Sequence, residues 1–163
     1  MKVLYPGSFD PITYGHIDVI RRLTCRFPFV HVAVLANPGK QEWFSVRERI
    51  DMIRRSLKGL RKVRIDSYEG LLVDYARRLG VSIIVRGLRA VSDFDAEFKM
   101  SLANKDMAPR LETLFMLTDK RYAFLSSSLV KEIALYGGRL GSFVPPPVER
   151  ALRAKVDSLK RIG

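Results

Sequence analysis

Residues 29–36, Phe-Val-His-Val-Ala-Val-Leu-Ala, form an apolar, β-branched run that stops abruptly at Asn37-Pro38-Gly39. A run of this length and make-up reads as a strand buried on both faces, the condition of a parallel sheet. The same theme recurs at Val3-Leu4-Tyr5, Lys62 to Ser67, Val81 to Val85 and Thr113 to Leu117. Between these runs the apolar positions switch to helical spacing: Ile17, Ile20, Leu23 and Phe27; Val46, Ile50, Ile53, Leu57 and Leu60; Leu72, Ala76 and Leu79; Phe94, Phe98 and Leu102. Pro28 ends the first helix, Gly80 closes the third, and Ser45 with Glu48 forms a capping box. Asp93 is expected to open the fourth. Two further helices are expected, from Leu129 to Tyr136 and after Pro145-Pro146-Pro147 (Val148, Leu152, Val156, Leu159). The alternation predicts one α/β domain over residues 1–163, Rossmann-like, with a five-stranded parallel sheet flanked by helices. In such a sheet ligands sit beyond the C-terminal ends of the strands. Segments 6–16, 37–44, 86–91 and 118–128 all follow strands and should meet on one rim.

The most chemically loaded of these segments is Pro6-Gly7-Ser8-Phe9-Asp10-Pro11-Ile12-Thr13-Tyr14-Gly15-His16. A strand, a tight Gly/Pro loop and a helix start aim free N–H groups and the positive helix end at one spot, which suits phosphate. Gly7 lets a ligand approach the backbone. Ser8 adds a hydroxyl, and His16 can offer an imidazole N–H to a phosphate oxygen.

The chain of 163 residues, 47% hydrophobic, can bury one core. No apolar run is long enough to span a membrane, and the first residues resemble neither a signal nor a transit peptide. One cysteine, Cys25, excludes an internal disulfide, and no Cys/His cluster points to zinc. A cytoplasmic protein without a membrane role is the expectation. Cys25 reads as a small packing residue and His31 as a structural histidine within its strand. The net charge of +12, from 29 Lys and Arg against 17 Asp and Glu, fits a nucleic-acid binder or an enzyme that steers phosphorylated substrates. The bases are scattered, without the aromatic interleaving or recognition helix of a nucleic-acid module, so no nucleic-acid partner is expected.

Three segments together carry a family likeness. Thr13-Tyr14-Gly15-His16 resembles the T/H-x-G-H loop of the nucleotidyltransferase superfamily, and Ser126-Ser127-Ser128-Leu129-Val130-Lys131-Glu132 its second signature. Arg86-Gly87-Leu88-Arg89-Ala90-Val91-Ser92-Asp93-Phe94 is similar to the hallmark of one branch, the bacterial phosphopantetheine adenylyltransferases. The likeness spans nearly the whole chain, in order. It implies the nucleotidyltransferase fold and transfer of an adenylyl group from ATP to 4′-phosphopantetheine, giving dephospho-coenzyme A and pyrophosphate. It also implies a homohexamer and Mg²⁺ that arrives with ATP, with no residue of the chain assigned as a metal ligand.

By the same resemblance His16 steadies the α-phosphate in the transition state, while Ser8 touches both substrates and Phe9 meets the reacting phosphates. Gly87, Leu88, Arg89 and Glu97 would hold ATP, with Tyr122, Ala123, Phe124, Leu125, Ser126, Ser127 and Ser128 wrapping adenine and phosphates. Lys40 and Arg86 would bracket the phosphate of phosphopantetheine, and Leu72 would touch its pantetheine arm. Ser8, Tyr14, Ala96 and Lys99 stand where the family commonly has Thr, Asn, an aromatic residue and Gln.

Each feature also has a plainer reading. Gly7, Pro11 and Gly15 can be turn residues, Ser126 to Ser128 a helix cap, and Lys40 or Glu97 surface charges. Rival functions are a related nucleotidyltransferase with another acceptor, a nucleic-acid module, and an inactive scaffold that kept the fold.

Overall fold

The computed structural model describes residues 1–36, 41–89 and 91–162. Lys40 lies outside the described residues. The elements run β1 (Lys2–Gly7), α1 (Tyr14–Arg26), β2 (Phe29–Leu35), α2 (Val46–Ser56), β3 (Val63–Tyr68), α3 (Leu72–Leu79), β4 (Ile83–Leu88), α4 (Val91–Met107), β5 (Glu112–Leu117), a 3₁₀ turn (Lys120–Tyr122), α5 (Ser127–Leu135) and α6 (Pro146–Ile162). All five strands are parallel, in the order β3-β2-β1-β4-β5. This is the predicted α/β sheet.

Strand alternation divides the core in two. Val3 and Tyr5 of β1 and Val30, Val32 and Val34 of β2 face one layer, packed with Ile17, Ile20 and Leu23 of α1, Ile53 of α2, Val130 of α5 and Leu152 of α6. Leu4, Ala33 and Ile84 face the other, where Val73, Tyr75 and Ala76 of α3 cover them. Both strand faces are dry at the centre, which is why the strands read as continuous apolar runs. His31 is buried there, as expected of a structural histidine.

Several local expectations change. β4 starts at Ile83, not Val81, because the Val81 N–H is used to cap α3: it donates to the Ala76 carbonyl (2.9 Å) beyond left-handed Gly80 (φ 62°). At its far end β4 keeps register with β5 through Arg86↔Phe115 to Leu88↔Leu117, so Arg86 and Gly87 are strand residues rather than loop. α5 begins at Ser127 and ends at Leu135, with Ser126 as its N-cap accepting from the Leu129 N–H (3.0 Å). α4 begins at Val91, before Asp93, and its apolar line of Phe94, Phe98 and Leu102 is 42%, 42% and 54% exposed. Cys25 is exposed too, not a packing residue.

The strand order reverses direction between β1 and β4. Crevices in open α/β sheets form at such a switch point, at the C-terminal strand ends. β1 and β4 pair at Leu4↔Ile84. Nearer their C-terminal ends the Arg86 guanidinium bridges them, its Nη1 donating to the Pro6 carbonyl (2.7 Å).

Candidate active site

A cleft of about 330 Å³ opens at this switch point. The turn after β1, the end of β4, the first turns of α4 and the start of α5 wall it. Of the residues expected from sequence, Ser8, Phe9, His16, Arg86, Gly87, Arg89, Glu97, Leu125, Ser126, Ser127 and Ser128 line it. Four do not. The Leu88 side chain is buried, and its carbonyl accepts from the Thr118 N–H (2.9 Å) and hydroxyl (2.7 Å). Leu72 packs against the core layer on the α3 side. Tyr122 stacks on Tyr14 with ring centroids 6.2 Å apart, and Phe124 is exposed against the edge of Phe143. Ala123 also falls outside the lining.

The turn after β1 is tightly specified. Phe9 has a positive φ of 47°, in the left-handed region a bulky residue rarely adopts, at a cost of about 1–3 kcal/mol. Its ring is buried, edge-on to Tyr5 (5.6 Å) and to His16 (5.1 Å). Gly7 leaves room for this ring, since a Cβ would come within 3.0 Å of it. Asp10, also buried, accepts from the backbone N–H groups of Trp43 and Phe44 and from the Lys131 ammonium, each at 3.0 Å. The turn is thereby tied to the segment before α2 and to α5.

Thr13 and His16 form a capping box in which histidine plays the part usually taken by glutamate. The Thr13 N–H donates to His16 Nδ1 (3.1 Å), and the Thr13 hydroxyl stands 3.0 Å from the same atom. Nδ1 is therefore an acceptor, which places the proton of the neutral ring on Nε2. Burial, with Arg89 and Arg86 nearby, holds the imidazole down at about 4. His16 is thus a neutral Nε2–H donor at physiological pH, and its tautomer is set by the start of its own helix.

Two arginines border the cleft, each paired to a carboxylate of α4. Arg86 donates from Nε (2.6 Å) and Nη2 (2.5 Å) to the two oxygens of Glu97. Burial works against its charge, but Glu97 outweighs burial and raises the guanidinium's pKa. Arg89 grips Asp93 from Nε (2.9 Å) and Nη2 (3.0 Å) and reaches the Leu125 carbonyl (3.2 Å). Glu97 is therefore no solvent-facing helix residue. Ser127 is turned toward the first loop, its hydroxyl donating to the Pro11 carbonyl (2.8 Å).

The cleft includes residues that sequence reasoning passed over. Tyr5 lines it with a phenol that burial pushes up, against the pull of Arg86, so the hydroxyl stays protonated. A Cβ at Gly87 would stand 3.3 Å from that hydroxyl, the close approach that calls for glycine there. Thr13, Asp93, Ala96 and Thr118 complete the wall. Thr13 and Asp93 lie within the segments that carried the resemblance, and Thr118 opens the segment 118–128 expected on the rim; Tyr5, inside β1, had no signal except its strand's place beside the switch point. Among the described residues no group of three or more His, Cys, Asp or Glu side chains gathers in metal-binding geometry.

The arrangement can bind phosphates through neutral and cationic donors and can stabilise charge developing on phosphorus. Comparison with known proteins agrees in kind. The cytidylyltransferase-like family model matches residues 4–133. A phosphopantetheine adenylyltransferase of Desulforudis audaxviator is 54% identical over 156 residues, 95% of this chain and 96% of that protein. One from Caldanaerobacter subterraneus subsp. tengcongensis is 51% identical over 152 residues, 93% of this chain and 95% of that protein. The solved structure of Plasmodium falciparum nicotinic acid mononucleotide adenylyltransferase, complexed with NaAD, superposes with a TM-score of 0.64 at 16% identity, covering 99% of this chain and 95% of that one. At that identity the superposition speaks for the fold alone.

Proposed function

The chain belongs to the phosphopantetheine adenylyltransferase family, and from that premise we propose how its cleft divides the work of the reaction. The enzyme transfers the adenylyl group of ATP to 4′-phosphopantetheine, giving dephospho-coenzyme A and pyrophosphate in the penultimate step of coenzyme A synthesis. A phosphate oxygen of the acceptor attacks the α-phosphorus of ATP, a new P–O bond forms, and the bond to the β-phosphate breaks. The nucleophile is already anionic, so no protein base is required. Catalysis rests on alignment and on donors aimed at the five-coordinate phosphorus.

In this reading the His16 Nε2–H and the Phe9 N–H meet the α-phosphate, and Ser8 lies between the two substrates. Arg86, with Lys40, receives the phosphate of phosphopantetheine, and Leu72 approaches its pantetheine arm. Gly87, Leu88, Arg89, Glu97 and residues 122–128 receive ATP. Magnesium enters on the phosphates of ATP, whose charge it offsets. The donor set supports this, because the two cleft carboxylates, Asp93 and Glu97, are each engaged by an arginine. The whole chain acts as one domain, since α6 packs into the same core layer as α1 and α2. We assign it to the cytoplasm; among the described residues no helix is long and apolar enough to cross a membrane. A homohexamer is the proposed assembly, supported by the exposed apolar side chains of α4 and the edge strand β5: Phe98, Leu102, Leu114 and Leu117.

The observation that carries the reading of the site is the His16 tautomer, fixed by Thr13 on a ring that lines the cleft between two arginines. The test is pyrophosphate release from ATP with phosphopantetheine, nicotinamide mononucleotide or glycerol phosphate as acceptor. Turnover is expected with phosphopantetheine. Turnover with another acceptor and none with phosphopantetheine would overturn the reading.

A further inference from the structure

Arg49 occupies the inner face of α2, next to the apolar stripe of Val46, Ile50 and Ile53, and is completely buried. A guanidinium is an expensive choice at such a position, where a hydrophobic residue of similar volume would pack without desolvating a charge. Its partners belong to three separate segments at the C-terminal edge of the sheet. Nη1 donates to the Ser8 carbonyl (2.9 Å) and toward the Leu35 carbonyl at the end of β2 (3.4 Å), and Nη2 pairs with Glu42 (2.7 Å).

The Ser8 carbonyl and the Phe9 N–H belong to one planar trans peptide, so they point in opposite directions. Holding the carbonyl inward on Arg49 turns the N–H outward, and Phe9 lines the cleft. Among the described residues the Phe9 N–H has no backbone partner within the fold. The positive φ of Phe9 shows that this peptide does not adopt its orientation by local preference. A cation on the carbonyl also polarises the whole amide and strengthens its N–H as a donor.

We propose that Arg49 is a positioning residue for adenylyl transfer: through the Ser8 carbonyl it aims and polarises the Phe9 N–H toward the nucleotide phosphate, without touching substrate. The proposal rests on the reading of the cleft as the adenylyl-transfer site. Its chemistry predicts an effect on kcat rather than on substrate affinity, since a donor to developing charge counts most in the transition state.

The test compares the wild-type enzyme with Arg49→Met and Arg49→Lys by pyrophosphate release and thermal melting. A folded Arg49→Met is expected to lose about 10²-fold in kcat with KM for ATP changed by less than about threefold. Arg49→Lys, which keeps a cation near the carbonyl, is expected to recover part of that loss. A folded Arg49→Met with wild-type kcat, or a loss confined to melting temperature and KM, overturns the proposal. Should both variants fail to fold, the wild-type enzyme labelled with ¹⁵N-phenylalanine decides it. Saturation with the non-hydrolysable α,β-methylene ATP should move the Phe9 amide resonance strongly downfield, and an unmoved resonance refutes the role. If the wild type itself fails to turn over ATP and phosphopantetheine, the reading of the site has failed. Normal wild-type turnover with an indifferent Arg49 condemns this proposal alone.

Discussion

Titration of His16 should leave turnover untouched across the pH range in which an ordinary histidine changes charge. The ring is held at about 4 by burial and by Arg89 and Arg86, and its Nδ1 is occupied by the Thr13 N–H. At pH 7 only about one molecule in a thousand carries the second proton, against roughly one in four for an unperturbed imidazole. The acid limb of the rate profile should therefore fall near pH 6, where the phosphate monoester of the acceptor takes up its proton. Replacing His16 by Ala removes one donor to the transition state and should lower kcat by about 10²–10³-fold, or about 3–4 kcal/mol. The acid limb of the variant should stay where it was. Stability follows with a definite sign. The native ring resists a proton that the unfolded chain accepts at about 6.5, so its contribution to stability falls as pH drops from about 6.5 to 4 and then levels. With the ring edge open to the cleft, the loss is on the order of 2–3 kcal/mol, and His16→Ala should remove that share of the slope, leaving the share of His31, which burial also holds down. Pyrophosphate release against pH, urea melts at several pH values, and an NMR titration of the two histidines measure all of this. A measured value for His16 above 6, or a proton found on Nδ1 rather than Nε2, would refute the reasoning.

Arg86→Lys keeps the charge but cannot form the two-pronged contact with Glu97 or a phosphate, so KM for phosphopantetheine should rise about 10–100-fold, with kcat changed less. Steady-state kinetics varying that substrate alone would show it. Gly7→Ala drives a methyl into the Phe9 ring that backs His16; we expect about 1–3 kcal/mol of destabilisation, a melting point several degrees lower by circular dichroism, and a fall in kcat. Phe98→Asp combined with Leu114→Asp should break the proposed hexamer into smaller species on sedimentation, and a wild-type chain that sediments as a monomer removes that assembly.

Much of the fold was legible because β1 and β2 bury both faces, and a parallel sheet leaves that mark as unbroken apolar runs at Val3–Tyr5 and Phe29–Ala36. Where strands end was less legible. Val81 looks like a strand residue by composition, yet its N–H caps α3, and no side-chain pattern records where a backbone hydrogen bond goes. Similarly, Phe94, Phe98 and Leu102 keep helical spacing whether the face they mark meets the chain's own core or open surface. At the site, motif residues were found because they lie close in sequence. Arg49 was invisible for the opposite reason: its partners Ser8 and Leu35 come from other elements, and an arginine beside an apolar stripe reads as solvated until its burial is known.

Among the described residues, the two arginines that border the cleft are not bare cations. Arg86 and Arg89 meet Glu97 and Asp93, which stand four residues apart on one face of α4. On the proposed reading of the site, an incoming phosphate would exchange one anionic partner for another and need not strip a guanidinium of water. The balance of that exchange is set by α4, which holds both carboxylates. Of that helix, Phe94 meets Phe115 of β5 and Asn104 is buried, while Phe98 and Leu102 face outward. If a second copy covers those outward side chains, as the proposed hexamer requires, assembly stiffens the helix that carries the counter-charges. The same interface would then govern how readily the two arginines let go of their carboxylates and take up phosphate.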